Sequence, residues 1–194
     1  MAADPPSRRP ICPRCELPLR TCLCALLRPV ANPTGLLILQ HPGERHQAKN
    51  TARLLQLCLQ RCELRVGERF EPAELAPLLR DAVLLYPGEP GASPRPWPVR
   101  PARLVVLDAT WRKSRRMLAL NPLLQALPRL SWAAPPLSRY AALRRAEKPG
   151  QLATLEAAAL GLAELDGAPG TYAPLWAAFE AWLGRQAARH PDRG

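Results

Sequence analysis

The middle of the chain brings an acid and several cations close together in sequence. The apolar run LVVL at 104–107 is typical of a buried strand, and it ends on Asp108. A helix with a basic first turn is predicted to follow at once. A strand-to-helix switch places Asp108 and Thr110 at the carboxyl edge of a sheet, where open α/β folds bind their ligands. An acid beside cations at this edge suits chemistry on a polyanion.

The cations lie on the predicted helix. Arg112, Arg115 and Arg116 share one helical face because they are spaced i, i+3 and i+4, and Lys113 stands beside them. The helix N-terminus adds unpaired N–H groups and a partial positive charge, which favour anions. The same pattern also suits a structural role, since Asp and Thr commonly cap helices and arginines on a helix usually form a solvated face. The stretch alone leaves both interpretations open.

A second candidate site is a cluster of cysteines near the start of the chain. Four of the six cysteines follow the spacing C-x2-C-x6-C-x-C, at Cys12, Cys15, Cys22 and Cys24. Paired cysteines on tight turns supply the four soft ligands of a tetrahedral zinc site, so we expect a structural zinc knuckle. Reduced structural thiols and iron–sulfur ligation are the alternatives. The other two cysteines, at 58 and 62, are expected on one helix as buried, inert thiols.

Composition favours one basic, globular α/β domain. The chain has 194 residues, of which 47% are hydrophobic, and a formal net charge of +11. Only three of its 27 basic residues are lysine, a skew that GC-rich codons explain, whereas the excess charge itself indicates a nucleic-acid partner. Aromatic residues make up only 5%, which argues against extensive base stacking. Without a long apolar run or an apolar N-terminal signal, we expect a cytoplasmic protein and no membrane partner.

Hydrophobic periodicity predicts alternating strands and helices, and therefore one sheet domain at 31–190. A disordered tail at 1–10 and the knuckle at 11–30 are expected to precede this domain. The predicted strands are 35–40, 82–86, 104–107 and an edge strand at 129–132. The predicted helices are 45–62, 72–80, one that runs from the basic turn to residue 120, 151–166 and 173–189.

Five blocks of sequence, in order, resemble the DTW-domain family, whose members include tRNA-uridine aminocarboxypropyltransferases. The Asp-x-Thr-Trp motif stands here as residues 108–111, with Ala109 where many relatives have glycine. The other blocks are the knuckle, His41-Pro42-x-Glu44 with Asn50-Thr51, Tyr86-Pro87-Gly88, and Leu152-x-Thr154-x-Glu156-Ala157. Together they cover residues 11–182, nearly all of the folded chain.

The resemblance implies a SPOUT-like fold: a mostly parallel sheet flanked by helices, with a C-terminal knot that holds S-adenosylmethionine. It also implies transfer of the 3-amino-3-carboxypropyl group of this donor to N3 of a tRNA uridine, with release of 5′-methylthioadenosine. The donor would be a co-substrate and zinc a structural metal. A SPOUT-type RNA methyltransferase and a non-enzymatic zinc-knuckle RNA-binding protein are the alternatives. Monomer and homodimer both stay open.

By the same resemblance, residues of the motif blocks receive roles. Asp108 is expected to remove the uridine N3 proton, or else to hold the ammonium group of the donor, with Thr110 and Trp111 beside it. Residues expected at the donor site are Leu85, Tyr86, Pro87, Gly88, Leu107, Leu152, Thr154 and Glu156. Residues expected to contact tRNA are His41, Arg112, Lys113, Arg115, Arg116, Arg139, Arg144 and Arg145.

Overall fold

A five-stranded parallel sheet forms the centre of the computed structural model, which describes residues 10–45, 47, 51–88, 97, 99–132, 138 and 152–188. The strands are β1 (Gly35–Gln40), β2 (Cys62–Val66), β3 (Ala82–Leu85), β4 (Arg103–Asp108) and β5 (Arg129–Leu130). They lie in the order β2-β1-β4-β3-β5. Apolar side chains on both faces of β1 and β4 explain why these two strands occupy the middle of a sheet that helices cover.

The order of the strands creates a switch point between β1 and β4. From β1 the chain goes outward to β2, and from β4 it goes outward in the opposite direction to β5. At such a point the two connections diverge and leave a crevice beyond the carboxyl ends of the strands. Gln40 and Asp108, the last residues of β1 and β4, are direct partners in the register and therefore lie together at this switch point.

Helices cover both faces of the sheet. They are α1 (Ala52–Cys58), α2 (Pro72–Leu75), α3 (Trp111–Leu120), α4 (Pro122–Gln125), α5 (Thr154–Asp166) and α6 (Ala173–Ala188). One core joins α1, α5 and α6 to the sheet face of Leu36 and Ile38, and the other joins α2, α3 and α4 to the face of Leu37 and Leu39. This division follows the alternation of side chains along a strand. No helix in the described ranges is long and apolar enough to span a bilayer.

The cysteine segment packs onto the first of these cores. Cys12 and Cys15 are buried in the same cluster as residues of α1 and α6. Arg53 of α1 donates to the carbonyl oxygen of Cys15 at 3.1 Å, and Arg185 of α6 donates to that of Cys22 at 3.1 Å. The knuckle is therefore packed against α1 and α6 as part of the folded domain.

Most predicted elements are confirmed, but the helix predicted at 45–62 is wrong over much of its length. Among the residues of that range that the structure describes, the α-helix is α1, Ala52–Cys58, and Cys62 already begins strand β2. Strand β2 lies at the edge of the sheet, and its sequence includes the charged residues Glu63 and Arg65. Its pattern of polar and apolar residues therefore resembles the exposed face of a helix more than a buried strand. The two cysteines therefore do not share a helix. Burial raises the pKa of Cys62 to about 12 and also raises that of Cys58, as expected for inert thiols.

Helix α5 approaches the sheet closely at Gly161. A Cβ atom at this position would lie 2.9 Å from Leu104 Cδ2 and 3.3 Å from Leu130 Cδ2. The absence of a side chain therefore lets the helix pack directly onto β4 and β5. A Cβ atom at Gly184 of α6 would have no neighbouring atom within 4 Å. Gly184 therefore serves as a control position on the open surface of a helix.

We expect Gly161→Val to lower the free energy of unfolding by about 1–3 kcal/mol, because the added methyl groups overpack a filled interface. Gly184→Ala should leave stability unchanged or raise it by up to about 1 kcal/mol, since alanine is the better helix former. Urea unfolding monitored by circular dichroism measures both variants. A Gly161→Val protein as stable as the parent would show that α5 is not seated as closely as described.

Candidate active site

Asp108 is the centre of the polar site at the carboxyl edge of the sheet. It is the last residue of β4, and only 8% of its surface is exposed. Its Oδ2 accepts a hydrogen bond from Gln40 Nε2 at 2.8 Å, and its Oδ1 accepts one from Thr154 Oγ1 at 2.6 Å. The carboxylate is thus held from β1 on one side and from α5 on the other, and its orientation is fixed by packing and hydrogen bonds together.

The first turn of α5 is fixed at the same edge. The N–H of Leu155 donates to Thr51 Oγ1 at 3.2 Å, and Thr51 itself is buried immediately before α1. Glu156 is 1% exposed, and its Oε2 accepts the N–H of Ala153 at 2.8 Å and the hydroxyl of Ser138 at 2.8 Å. Otherwise unsatisfied N–H groups of the helix start are thereby satisfied inside the protein.

Three of these site residues come from the sequence prediction, namely Asp108, Thr154 and Glu156, and the structure brings them together. Gln40 was missed. In the sequence, Gln40 is a polar residue at the end of an otherwise apolar run. Such a residue usually indicates only where a strand ends, so it did not predict a role in the site. The structure places Gln40 in the interior, with 4% of its surface exposed.

An aromatic stack lies at the same edge of the sheet as Asp108. The rings of Tyr86 and Trp111 are 5.3 Å apart between centroids and 12° from parallel, and the Arg129 guanidinium lies 5.3 Å from the Tyr86 centroid. Tyr86 follows β3 and Trp111 opens α3, so the stack joins two neighbouring strand ends. Thr110 is exposed at the N-cap of α3, and no side-chain cap bond from it is found among the described residues.

The remaining predicted donor-site residues occupy the same edge. Leu85, Leu107, Gly88 and Leu152 are half-buried, and Pro87 is exposed. All of them lie at or just beyond a strand end or immediately before α5. The structure therefore places these residues at the carboxyl ends of β3 and β4 and immediately before α5.

The cations predicted to contact RNA differ in their partners. Lys113 Nζ pairs with Glu44 Oε1 at 2.7 Å, and Arg116 Nε pairs with Glu68 Oε1 at 2.9 Å. Arg112 and Arg115 are exposed, and neither has an ion pair with any residue that the structure describes. These two arginines therefore give α3 an outward cationic face.

His41 and the three later arginines complete the set of predicted RNA contacts. His41 Nδ1 accepts the N–H of Gly43 at 2.9 Å, its Nε2 lies 3.5 Å from Glu68 Oε1, and its backbone N–H donates to the Asp108 carbonyl at 3.0 Å. These contacts stabilise the turn after β1. Arg139, Arg144 and Arg145 lie outside the described residues, as do Asn50 and residues 1–9 of the tail predicted at 1–10.

The four knuckle cysteines have the geometry of a metal site. Their Sγ atoms all lie within 4.8 Å of one another, with 3.6 Å between Cys12 and Cys24 and 3.7 Å between Cys15 and Cys22. A tetrahedron with Zn–S bonds of about 2.3 Å has edges of about 3.8 Å, so the sulfur positions fit zinc. Four protein thiolates leave no open coordination position, which favours a structural metal over a catalytic one.

The protein environment prepares one of these thiols for metal binding. Backbone hydrogen bonds from Cys15 and Arg14 lower the pKa of Cys12 to about 6, which favours its thiolate form. Burial raises the pKa of Cys24 to about 12 when no cation is present. A bound divalent cation would offset that cost by stabilising the thiolate.

A parallel sheet with helices on both faces defines an open α/β protein, and its polar cluster lies at the switch point, where such folds generally bind ligands. The chain belongs to the DTW domain family, whose model matches residues 9–187. No solved structure matches the chain.

Curated relatives are about one-third identical to this chain over the aligned residues. It is 34% identical to tRNA-uridine aminocarboxypropyltransferase 2 of Mus musculus over 172 residues, 82% of this chain and 57% of the relative. It is 31% identical to the protein of the same name from Macaca fascicularis over 179 residues, 86% and 60% of the two chains. The Drosophila melanogaster protein of that name is 34% identical over 181 residues, 87% and 72%. The match therefore spans somewhat more than half of each mammalian relative.

We expect the purified protein to contain one zinc ion per chain by metal analysis. Cys15→Ser should lose the metal and part of its stability, because the buried ligand joins the knuckle to α1. Cys62→Ser, which alters a cysteine outside the cluster, should retain the metal. A metal content near zero in the parent, or an equal loss from both variants, would contradict the assignment.

Proposed function

We propose that this chain is a tRNA-uridine aminocarboxypropyltransferase that uses S-adenosylmethionine as its donor. The observation that carries the proposal is the buried Asp108 carboxylate, held by Gln40 and Thr154 at the sheet's switch point within the Asp-x-Thr-Trp motif. Membership of the DTW domain family and the names of the relatives supply the substrate class. Their activity is extended to this chain as a proposal because the match covers only part of their length.

The proposed donor site is the crevice beyond β1, β3 and β4. The strand-end loops at 85–88 and 107–111 and the start of α5 at 152–156 line it, and backbone groups there would contact the donor's adenosine. The finer expectation of a SPOUT-like knot belongs to this proposal. It is supported by the way the start of α5 returns to the ends of β1 and β4, through Thr154 and Leu155.

The proposed reaction is a displacement at carbon. The N3 nitrogen of uridine attacks the methylene carbon that links the aminocarboxypropyl arm to the sulfonium sulfur, and a new N–C bond forms. The S–C bond breaks, and its electron pair stays on sulfur in 5′-methylthioadenosine. The N3 proton must pass to a base. Because the sulfonium activates all three attached carbons, the pocket decides which one is attacked, and in-line placement lowers the barrier by several kcal/mol.

Asp108 has two candidate roles in this reaction. As a general base it would accept the N3 proton, an effect typically worth about 10²–10⁴ in rate. As an anchor it would hold the donor's ammonium group and expose the reactive methylene. Gln40 and Thr154 fix the carboxylate's orientation in either case. The general-base role is our first hypothesis, because a carboxylate fixed at the edge of the site is suited to accept the N3 proton of a bound uracil.

Asp108→Asn is expected to reduce formation of aminocarboxypropyl-uridine by roughly 10²-fold or more, measured by mass spectrometry of tRNA nucleosides after reaction. Calorimetry with two ligands separates the roles. A base predicts unchanged affinity for both S-adenosylmethionine and 5′-methylthioadenosine. An anchor predicts weaker binding of the full donor only, because the thioether product lacks the amino-acid arm.

Asp81→Asn is the matched control. Asp81 is exposed with φ +52°, a conformation that asparagine tolerates, and it precedes β3 at the opposite edge of the sheet. Its substitution should leave activity unchanged. An active Asp108→Asn protein would contradict a direct role for the carboxylate, and formation of S-adenosylhomocysteine by the parent would instead indicate a methyltransferase.

The proposed RNA surface begins on α3, where Arg112 and Arg115 project from the edge that carries Asp108. Neutralising phosphates releases counterions, so RNA affinity falls as salt rises. The chain's net charge of +11 supports the same partner. Lys113 and Arg116 are less available than these two arginines because acidic side chains already pair with them.

Arg112→Gln and Arg115→Gln should each weaken tRNA binding and reduce the slope of log Kd against log salt by roughly 0.7–0.9, as for one lost phosphate contact. Arg80→Gln removes the same charge from an exposed position before β3, at the opposite edge. It should leave the slope unchanged. Equal slopes for all three variants and the parent would exclude α3 from the RNA interface.

A further inference from the structure

Trp111 has an exposed aromatic surface beside the proposed active site. It is 51% exposed even though its ring stacks on Tyr86. Contact with Tyr86 covers one side of the indole, and much of its remaining surface is open to solvent. Single exposed apolar residues are common on protein surfaces, but a large exposed aromatic side chain close to a buried polar cluster indicates a binding surface.

The indole is held in place before any ligand arrives. Tyr86 lies nearly parallel to it at 5.3 Å, and the Arg129 guanidinium in turn contacts the Tyr86 ring. The Tyr86 backbone is fixed by a hydrogen bond from its N–H to the Leu130 carbonyl at 3.1 Å. The buried Tyr86 hydroxyl has no hydrogen-bond partner among the described residues. The side chain of Tyr86 is therefore held by the contacts of its ring and not by a hydrogen bond of its hydroxyl. A ring fixed in this way loses little freedom when another ring stacks on it.

We propose that the open face of Trp111 stacks against the uracil that is modified and holds this base out of the RNA stack beside Asp108. The inference rests on the proposed function. N3 lies on the Watson–Crick edge of uracil, so the base must be unpaired before this atom can react. Extruding a base costs stacking energy, and an aromatic side chain restores part of it. Trp111 is thus assigned as a positioning residue.

The surroundings favour an RNA base over the adenine of the donor. Trp111 opens the same helix that carries the exposed Arg112 and Arg115, so a base on the indole would have its phosphates near these cations. The proposed donor crevice is lined by residues that are mostly half-buried, such as Leu107 and Leu152, whereas the indole faces outward. Both candidate ligands are planar heterocycles, and the experiment must therefore measure them separately.

Trp111→Phe and Trp111→Leu form the matched pair, because both keep an apolar side chain and only the first keeps an aromatic face. For the full-length protein we expect Trp111→Leu to weaken tRNA binding and kcat/KM for tRNA by about 5- to 100-fold. Trp111→Phe should stay within about 5-fold of the parent. Neither substitution should change the Kd for S-adenosylmethionine measured by calorimetry. Leu120→Ala, at the exposed end of the same helix, controls for loss of apolar surface and should have no effect.

Either of two other patterns of binding among the variants overturns the proposal. Weaker donor binding with unchanged tRNA binding would assign the indole to adenine. Equal loss in Phe and Leu variants, or no loss in either, would assign it to packing alone. If the parent produces no aminocarboxypropyl-uridine, the proposed function fails, and the tRNA affinities of the variant pair still decide whether the indole stacks on an RNA base. Melting temperatures of all variants exclude unfolding as the cause.

Discussion

The carboxylate of Asp108, accepting one hydrogen bond from Gln40 and one from Thr154, is the constraint on which the site depends. These bonds join β4, β1 and α5 at a single buried point. Burying a charged group is costly unless its hydrogen-bonding capacity is used. The register that sets Gln40 opposite Asp108, and the packing of α5 onto the sheet, are thus directly coupled to the position of the acid. Fold and site are consequently not separable in this protein.

The two faces of the sheet contribute differently to that site. On one face, α5 supplies Thr154 and is drawn close to β4 by the missing side chain at Gly161. On the other, α3 and α4 are tied to the connection after β2 by Asn121, which is buried and uses both ends of its amide, donating to the Glu68 and Met117 carbonyls and accepting the N–H of Phe70. This second anchor fixes the helix that presents Trp111 and the arginines. The polar edge is therefore supported from both layers.

Local patterns in the sequence predicted much of this arrangement. Apolar runs identified β1, β3 and β4, the Asn121-Pro122 break ended α3 where the structure ends it, and cysteine spacing predicted the cluster of sulfur atoms. Strand β2 was missed because an edge strand with charged residues lacks a distinctive apolar pattern. Gln40 was missed because its role arises from a strand 68 residues away in sequence. Pairings of this kind are set by topology, and one sequence contains no local signal for them.

The late position of α5 in the chain has a consequence for biosynthesis. Thr154 donates a hydrogen bond to the Asp108 carboxylate, and the N–H of Leu155 donates to Thr51 across a separation of 104 residues. A nascent polypeptide therefore emerges from the ribosome with strands β1 to β5 made but without the helix that carries Thr154 and Leu155. Contacts of such long sequence separation form slowly. Until α5 docks, the chain lacks the contacts through Thr154 and Leu155 that hold the polar edge of the sheet together.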